Sequence, residues 1–194
     1  MGAGLRQALG FAAEHVVDQF GAVDGFNLDS IIHIPLPRSL ERVREALKVV
    51  RMAGLLDDLG LCLNRAAELA TPRARRIVLS AIEEMTLDDM RGILSGPDDA
   101  ATRYFEGKTS AELTAAMRPI VEDALSEAGA VQIYDRAMGE YDAILFMHDV
   151  KADLTAHVLG LGLKGIFHYI AVEEAAIRDE PITRTTDLLR RVFG

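Results

Sequence analysis

The sequence predicts an all-α fold, a compact single domain spanning residues 1–194 as a bundle of about eight to ten helices. Three observations carry that expectation. Apolar residues recur at helical spacing almost throughout, alternating strand patterns are absent, and capping or breaking residues fall between the apolar stripes. A chain of 194 residues suits one domain better than two.

Residues 21–37 are the longest stretch without helical periodicity and are expected to form an irregular, surface-wrapping connection that tethers the first helix. Within it, Ile31-Ile32-His33-Ile34 is the one extended candidate, running into Pro35-Leu36-Pro37, where a helix cannot continue. Leu40, Val43, Leu47 and Val50 then mark one buried stripe. Ala74, Ile77, Val78, Ala81, Ile82 and Met85 mark a second. Leu113, Met117, Ile120, Val121, Ala124 and Leu125 form a third, and Val131, Tyr134, Met138, Tyr141 and Leu145 a fourth.

The punctuation agrees. Thr71-Pro72 has the form of an N-cap followed by proline in the first turn. Thr86 with Asp89, and Thr109 with Glu112, have the spacing of a capping box. Ser95-Gly96-Pro97 closes one helix and opens another, with Asp98 and Asp99 complementing the new helix dipole. Pro119 predicts a kink or break near Arg118. Gly129 suits a helix C-terminus. Val150-Lys151-Ala152 reads as a turn before a long helix capped by Asp153 and closed by Pro181. Residues 184–194 read as a C-terminal docking helix, capped by Thr185 or Thr186, which buries Leu188, Leu189, Val192 and Phe193 on the bundle.

Composition narrows the function. The net charge of −9 and the lack of a continuous basic stripe argue against nucleic acid, because Arg73, Arg75 and Arg76 spread around a helix. No apolar run approaches the roughly 20 residues of a transmembrane segment; the longest, from Val158 to Ile170, holds Lys164, His168 and three glycines. The single Cys62 excludes an intrachain disulfide and a cysteine zinc cage, and its apolar helical surroundings predict a buried, inert thiol.

Motifs with chemical meaning are few. Gly160-x-Gly162-x-x-Gly165 has the letters of a dinucleotide fingerprint but helical flanks in place of the required strand, so small residues admitting a neighbouring helix are the better account. Asp149, Asp153 and His157 recur every four residues beside His148, yet the expected turn at 150–152 breaks the shared face. No metal site or cofactor is expected. His15, His33 and His168 are isolated, with structural or surface roles, and no serine sits in a nucleophile elbow.

Two groups of polar residues interrupt apolar faces. Asn64, Arg65 and Glu68 lie about one turn apart on a Leu- and Ala-rich helix. Glu174 and Arg178 form an i, i+4 pair in the favourable order. Their plain role is to support helices; their functional role would be a polar cluster that receives the C-terminal segment. Asp99, Thr102 and Tyr104 join them as candidate binding positions, and no catalytic residue is assigned.

Several stretches resemble the bacterial proteins catalogued as domain of unknown function 4197. They are Ile34-Pro35-Leu36-Pro37, Asn64-Arg65-Ala66-Ala67-Glu68, Ala100-Ala101-Thr102-x-Tyr104-Phe105, Gly165-Ile166-Phe167, Glu173-Glu174-x-x-Ile177-Arg178 and the ending Val192-Phe193-Gly194. The resemblance runs in order over nearly the whole chain. It implies a helical protein, usually made with an export signal and thus of the periplasm or cell envelope, with no established activity and no catalytic residues to carry over. Such a signal would here have been trimmed, and cytoplasm is the alternative. The chain departs from the family pattern at His157, Gly160 and Gly162.

The best functional expectation is a non-enzymatic helical envelope protein that binds an apolar small molecule or a protein partner. Its hydrophobic content of 49% and seven Met residues suit adaptable apolar surfaces. The alternative is a metal- or carboxylate-dependent enzyme using Asp98, Asp99, Glu173 and Glu174, which requires those groups to converge.

Overall fold

A computed structural model describes residues 2–49, 54–139 and 150–179. Over these the chain is all-helical, with no strand among the described residues: α1 (Gly2–Phe20), α2 (Arg38–Val49), α3 (Gly54–Ala70), a 3-10 turn (Thr71–Arg73), α4 (Ala74–Glu83), α5 (Leu87–Ser95), α6 (Ala100–Glu127), α7 (Ala130–Gly139) and α8 (Val150–Asp179). Because α3 passes into α4 through the 3-10 turn, the described residues form seven continuous helical runs, slightly fewer than the eight to ten expected.

Helix α1 shows why the bundle closes. Its buried residues Leu5, Ala8, Leu9, Ala12, Ala13, Val16, Val17 and Phe20 repeat at three and four, so one stripe faces inward along the whole element. That stripe packs on α4 and α8, while α6 and α8 share the most extensive helix–helix contact and α3 lies against α6, α7 and α8. The stripes read from the sequence are buried at Leu40 and Val43, at Ala74 through Met85, and at Leu113, Met117, Val121 and Leu125. The stripe through Met138, Tyr141 and Leu145, the side chains of Leu47 and Val50, Pro181, and the proposed docking helix at 184–194 lie outside what is described.

Several local expectations need correction. Pro119 neither ends nor divides α6, which runs for 28 residues. The carbonyl that its missing N–H leaves free belongs to exposed Ala115, where solvent can satisfy it. Thr109 is not a cap. It sits inside α6 and its hydroxyl donates to the Phe105 carbonyl at 2.7 Å, the back-bond open to a mid-helix hydroxyl. Thr71 likewise donates to the Ala67 carbonyl at 2.8 Å. The N-cap position of the 3-10 turn is Ala70.

The turn expected at 150–152 is the first turn of α8, with Asp153 inside it. Asp149 and His148 are not among the described residues. Thr86 and Asp89 do make the complete capping box at α5, and Gly129 takes φ +67° after α6, a conformation that favours glycine. Cys62 is half-buried, and burial, helped by nearby Asp58, pushes its thiol above the usual range.

Residues 21–37 do more than wrap the surface. Phe26, Ile32, Ile34 and Leu36 enter the main core, with Phe26 and Ile34 at 0% exposure. Between them Ile31, His33 and Pro35 face outward, so 31–36 alternates inside and outside as a strand would, without any neighbouring strand. Helix α8 is the floor beneath this segment. A Cβ on Gly165 would lie 3.0 Å from the Cβ of Ile32 and 3.2 Å from the Phe26 ring, so glycine lets the connection settle directly on α8. The close approach at Gly165 therefore comes from the connection and not from another helix. By length and composition the span Asp153–Arg178 is apolar enough to cross a membrane, its most apolar 18-residue window having mean hydropathy 1.2, although half of that window is buried in the bundle.

Candidate functional site

The eight positions singled out from the sequence fall into two separate staples and two lone pairs. In the first staple α3 grips the 21–37 connection. Asn64, fully buried, accepts from the Ile34 N–H and donates to the Ile34 carbonyl, both at 2.9 Å, and also donates to the Gly60 carbonyl at 2.9 Å. Glu68, 3% exposed, accepts from the consecutive N–H groups of Phe26 and Asn27 at 3.1 Å each. Its other oxygen takes Arg65 at 2.6 Å, and Arg65 reaches on to Asp24 at 2.7 Å. Asp24 adopts φ 70°, and its carboxyl is held below the ordinary range by Asn27 and then by Arg65.

The second staple joins α8 to α5 and α6. Asp99, the N-cap residue of α6, makes no side-chain cap. Glu174 from α8 does that work across 73 residues of sequence: it accepts from the Ala101 N–H, the Thr102 N–H and the Thr102 hydroxyl, each at 2.9 Å. A carboxylate facing exposed helix N–H groups is favoured by hydrogen bonding and by the helix dipole together. Arg178 bonds Glu174 at 2.9 Å and the Ile93 carbonyl at the end of α5 at 2.9 Å.

The remaining positions go elsewhere. Asp99 pairs with Arg103 on the surface at 2.8 Å, and Tyr104 donates to Asp89 at 3.4 Å. Burial, with Asp89 adding to it, raises the Tyr104 phenol. Of the carboxylates of the enzymatic alternative, Glu174 is saturated at the α6 terminus, Glu173 faces His15 at 3.7 Å, and Asp98 is exposed. They are engaged separately. Among the described residues no group of three or more His, Cys, Asp or Glu side chains is arranged to hold a metal ion.

One hollow with room for a ligand is a feature that residue patterns did not reveal. Between the connection and α8 lies a cleft of about 440 Å³. Ile31, Ile32 and Pro35 wall one side, and Leu161 and Gly165 the other; His33, Lys164 and His168 also line it. Leu161, Lys164, Gly165 and His168 follow the i, i+3, i+4, i+7 spacing of one helix face. Four hydrogen-bond contacts brace the walls, two across to α8 and two within the connection. The Tyr169 hydroxyl donates to Asp29 at 2.6 Å, His157 Nε2 lies 2.7 Å from the Pro35 carbonyl, and Asp29 accepts from the Ile31 and Ile32 N–H groups at 2.8 and 2.9 Å. Burial works against the Asp29 carboxylate, but Tyr169 and the two N–H groups outweigh it and hold its carboxyl below the ordinary range. Tyr169 is correspondingly raised, first by donating to Asp29.

A family profile described as "Protein of unknown function (DUF4197)" matches residues 1–194. The chain belongs to that family. No curated protein and no solved structure is significantly similar to it. Of the stretches that resemble DUF4197, Asn64-Arg65-Ala66-Ala67-Glu68 holds the first staple, while Ala100-Ala101-Thr102 and Glu174 with Arg178 hold the second. Ile34-Pro35-Leu36-Pro37 and Gly165 build the cleft and its support.

Proposed function

We propose that the protein is a non-enzymatic binding protein that seats an apolar small molecule in the cleft between residues 31–35 and α8. The observation that carries this reading is the cleft itself: about 440 Å³, within the roughly 300–1,000 Å³ of small-molecule sites, with Ile31, Ile32, Pro35 and Leu161 as apolar walls beside one lysine and two histidines. Its walls are held by hydrogen bonds on both sides, so little ordering is needed on binding. The family resemblance supports a place in the cell envelope as part of this reading. A protein partner is the second reading, favoured by Leu28 and Ile31, which stand 75% and 64% exposed on the same connection.

The test is titration with the neutral dye N-phenyl-1-naphthylamine, read by fluorescence, beside the variant Leu161→Trp, which fills the cleft from a half-buried position on α8. Saturable enhancement in the wild type that the variant lacks, at unchanged helicity, supports the reading. Equal enhancement in both, or none in either, rejects it.

A further inference from the structure

We infer that the ligand of this cleft is an anionic amphiphile, a single-chain molecule with a carboxylate at its polar end that Lys164 binds, flanked by His33 and His168. This rests on the proposed use of the cleft. The argument is one of charge. The chain carries a net charge of −9, yet the cleft lining holds one lysine, two histidines and no acidic side chain.

Two other hollows show the contrast. The one beside α2 and α3 contains Arg44, but with Glu41 at 3.1 Å and Asp57 at 3.5 Å, so its cation is outnumbered by carboxylates. The one between the 3-10 turn and α6 sets Arg73 among Asp123 and Glu127. In the cleft, by contrast, Lys164 has no ion-pair or hydrogen-bond partner among the described residues. The nearest carboxylate on the connection, Asp29, spends one oxygen on the Ile31 and Ile32 N–H groups and the other on Tyr169. No ion pair joins it to Lys164, and its charge acts on His168 at the other edge of the cleft.

Geometry gives the tail its place. Ile31, Ile32, Pro35 and Leu161 offer apolar contact on both sides of the same opening that Lys164 edges. A cation would meet the lysine, and a neutral chain would leave it unused. A carboxylate uses it without stranding any buried group, since an ammonium can rotate its three donors toward the head.

Matched ten-carbon ligands, each below its micelle concentration, test this by displacement of N-phenyl-1-naphthylamine at low salt: decanoate, 1-decanol and decyltrimethylammonium. Decanoate is expected to bind about tenfold more tightly than decanol, the scale of one charge-assisted contact. The cationic chain is expected to bind most weakly. Lys164→Gln, an exposed substitution between good helix formers, should erase the decanoate preference, read as the ratio of decanoate to decanol affinity within that variant. If decanol and the dye bind but decanoate shows no advantage, or keeps it in Lys164→Gln, the anion assignment falls and the apolar cleft stands. If dye and all three chains fail to bind the wild type, both fall.

Discussion

Asn64 and Ile34 are joined as two paired strand residues would be, although neither lies in a strand. The Asn64 amide accepts the Ile34 N–H and donates to the Ile34 carbonyl, both at 2.9 Å and both residues at 0% exposure. One side chain thus satisfies both polar groups of a backbone buried without a sheet. Replacing it by alanine strands donor and acceptor together.

Asn64→Ala is therefore expected to lower stability by about 3 kcal/mol, since each buried unsatisfied group costs roughly 1–3 kcal/mol. Asn64→Asp should cost at least as much: its carboxylate keeps the Ile34 N–H but opposes the Ile34 and Gly60 carbonyls. Urea unfolding followed by circular dichroism measures this. A loss below about 1 kcal/mol in Asn64→Ala would mean that the pairing is dispensable.

This pairing also explains what the sequence disclosed and what it hid. Ile31 to Ile34 is visible as an extended segment because its side chains suit alternation and Pro35 forbids a helix. The polar triplet Asn64, Arg65 and Glu68 is visible because it interrupts an apolar face. What joins them is not visible, for the partners are backbone groups 30 and 42 positions away, which every residue type presents alike. Glu174 and Thr102 are hidden from each other in the same way. The cleft is harder still: Lys164 and His168 share a helix face, but His33 reaches them only because Gly165 lets the connection descend onto α8. Pro119 differs for the opposite reason: it does not break α6, where the carbonyl it leaves free is exposed to solvent.

At the second staple, Glu174→Gln keeps the shape but sets an amide N–H₂ against the Ala101 and Thr102 N–H groups and the Arg178 guanidinium, which can only donate. It also takes the charge partner from Arg178, which is mostly buried. Breaking one side of such a pair costs about 3–5 kcal/mol, and a loss near 3 is expected here. In a double-mutant cycle with Arg178→Met, a coupling of about 1–2 kcal/mol should appear. Strict additivity of the two substitutions would show that the pair contributes nothing jointly.

Glu68→Ala makes a local prediction. The Phe26 and Asn27 N–H groups lose their acceptor, so their hydrogen exchange should accelerate by at least about tenfold. Two amides serve as internal controls. Ile34 N–H stays with Asn64, and Gly21 N–H stays with the Val17 carbonyl at the end of α1. Acceleration at Phe26 and Asn27 beyond that at the controls identifies a local anchor, whereas uniform acceleration would mean that Glu68 supports the bundle as a whole.

The Asp29–Tyr169 clasp gives stability a dependence on pH with two opposite limbs. Asp29 is lowered from its ordinary 3.8, so the folded state favours its carboxylate; that contribution is present above 3.8 and disappears as pH falls through the folded value. Tyr169 is raised from its ordinary 10.0, so the folded state favours the phenol; that contribution is present below 10.0 and disappears as pH rises through the folded value. The clasp is thus intact between the two limbs and weakens beyond each. Tyr169→Phe removes the donor, at a cost of about 1 kcal/mol near neutral pH. The informative quantity is the difference in urea midpoint between wild type and variant across pH, because other carboxylates cancel in it. That difference should be largest near neutrality and shrink at both extremes. On the acid side Asp29 keeps its two N–H donors in the variant, so only the share due to Tyr169 is lost there. A difference that stays constant from pH 3 to pH 11 would show that the hydroxyl stabilises the fold without sensing either ionisation.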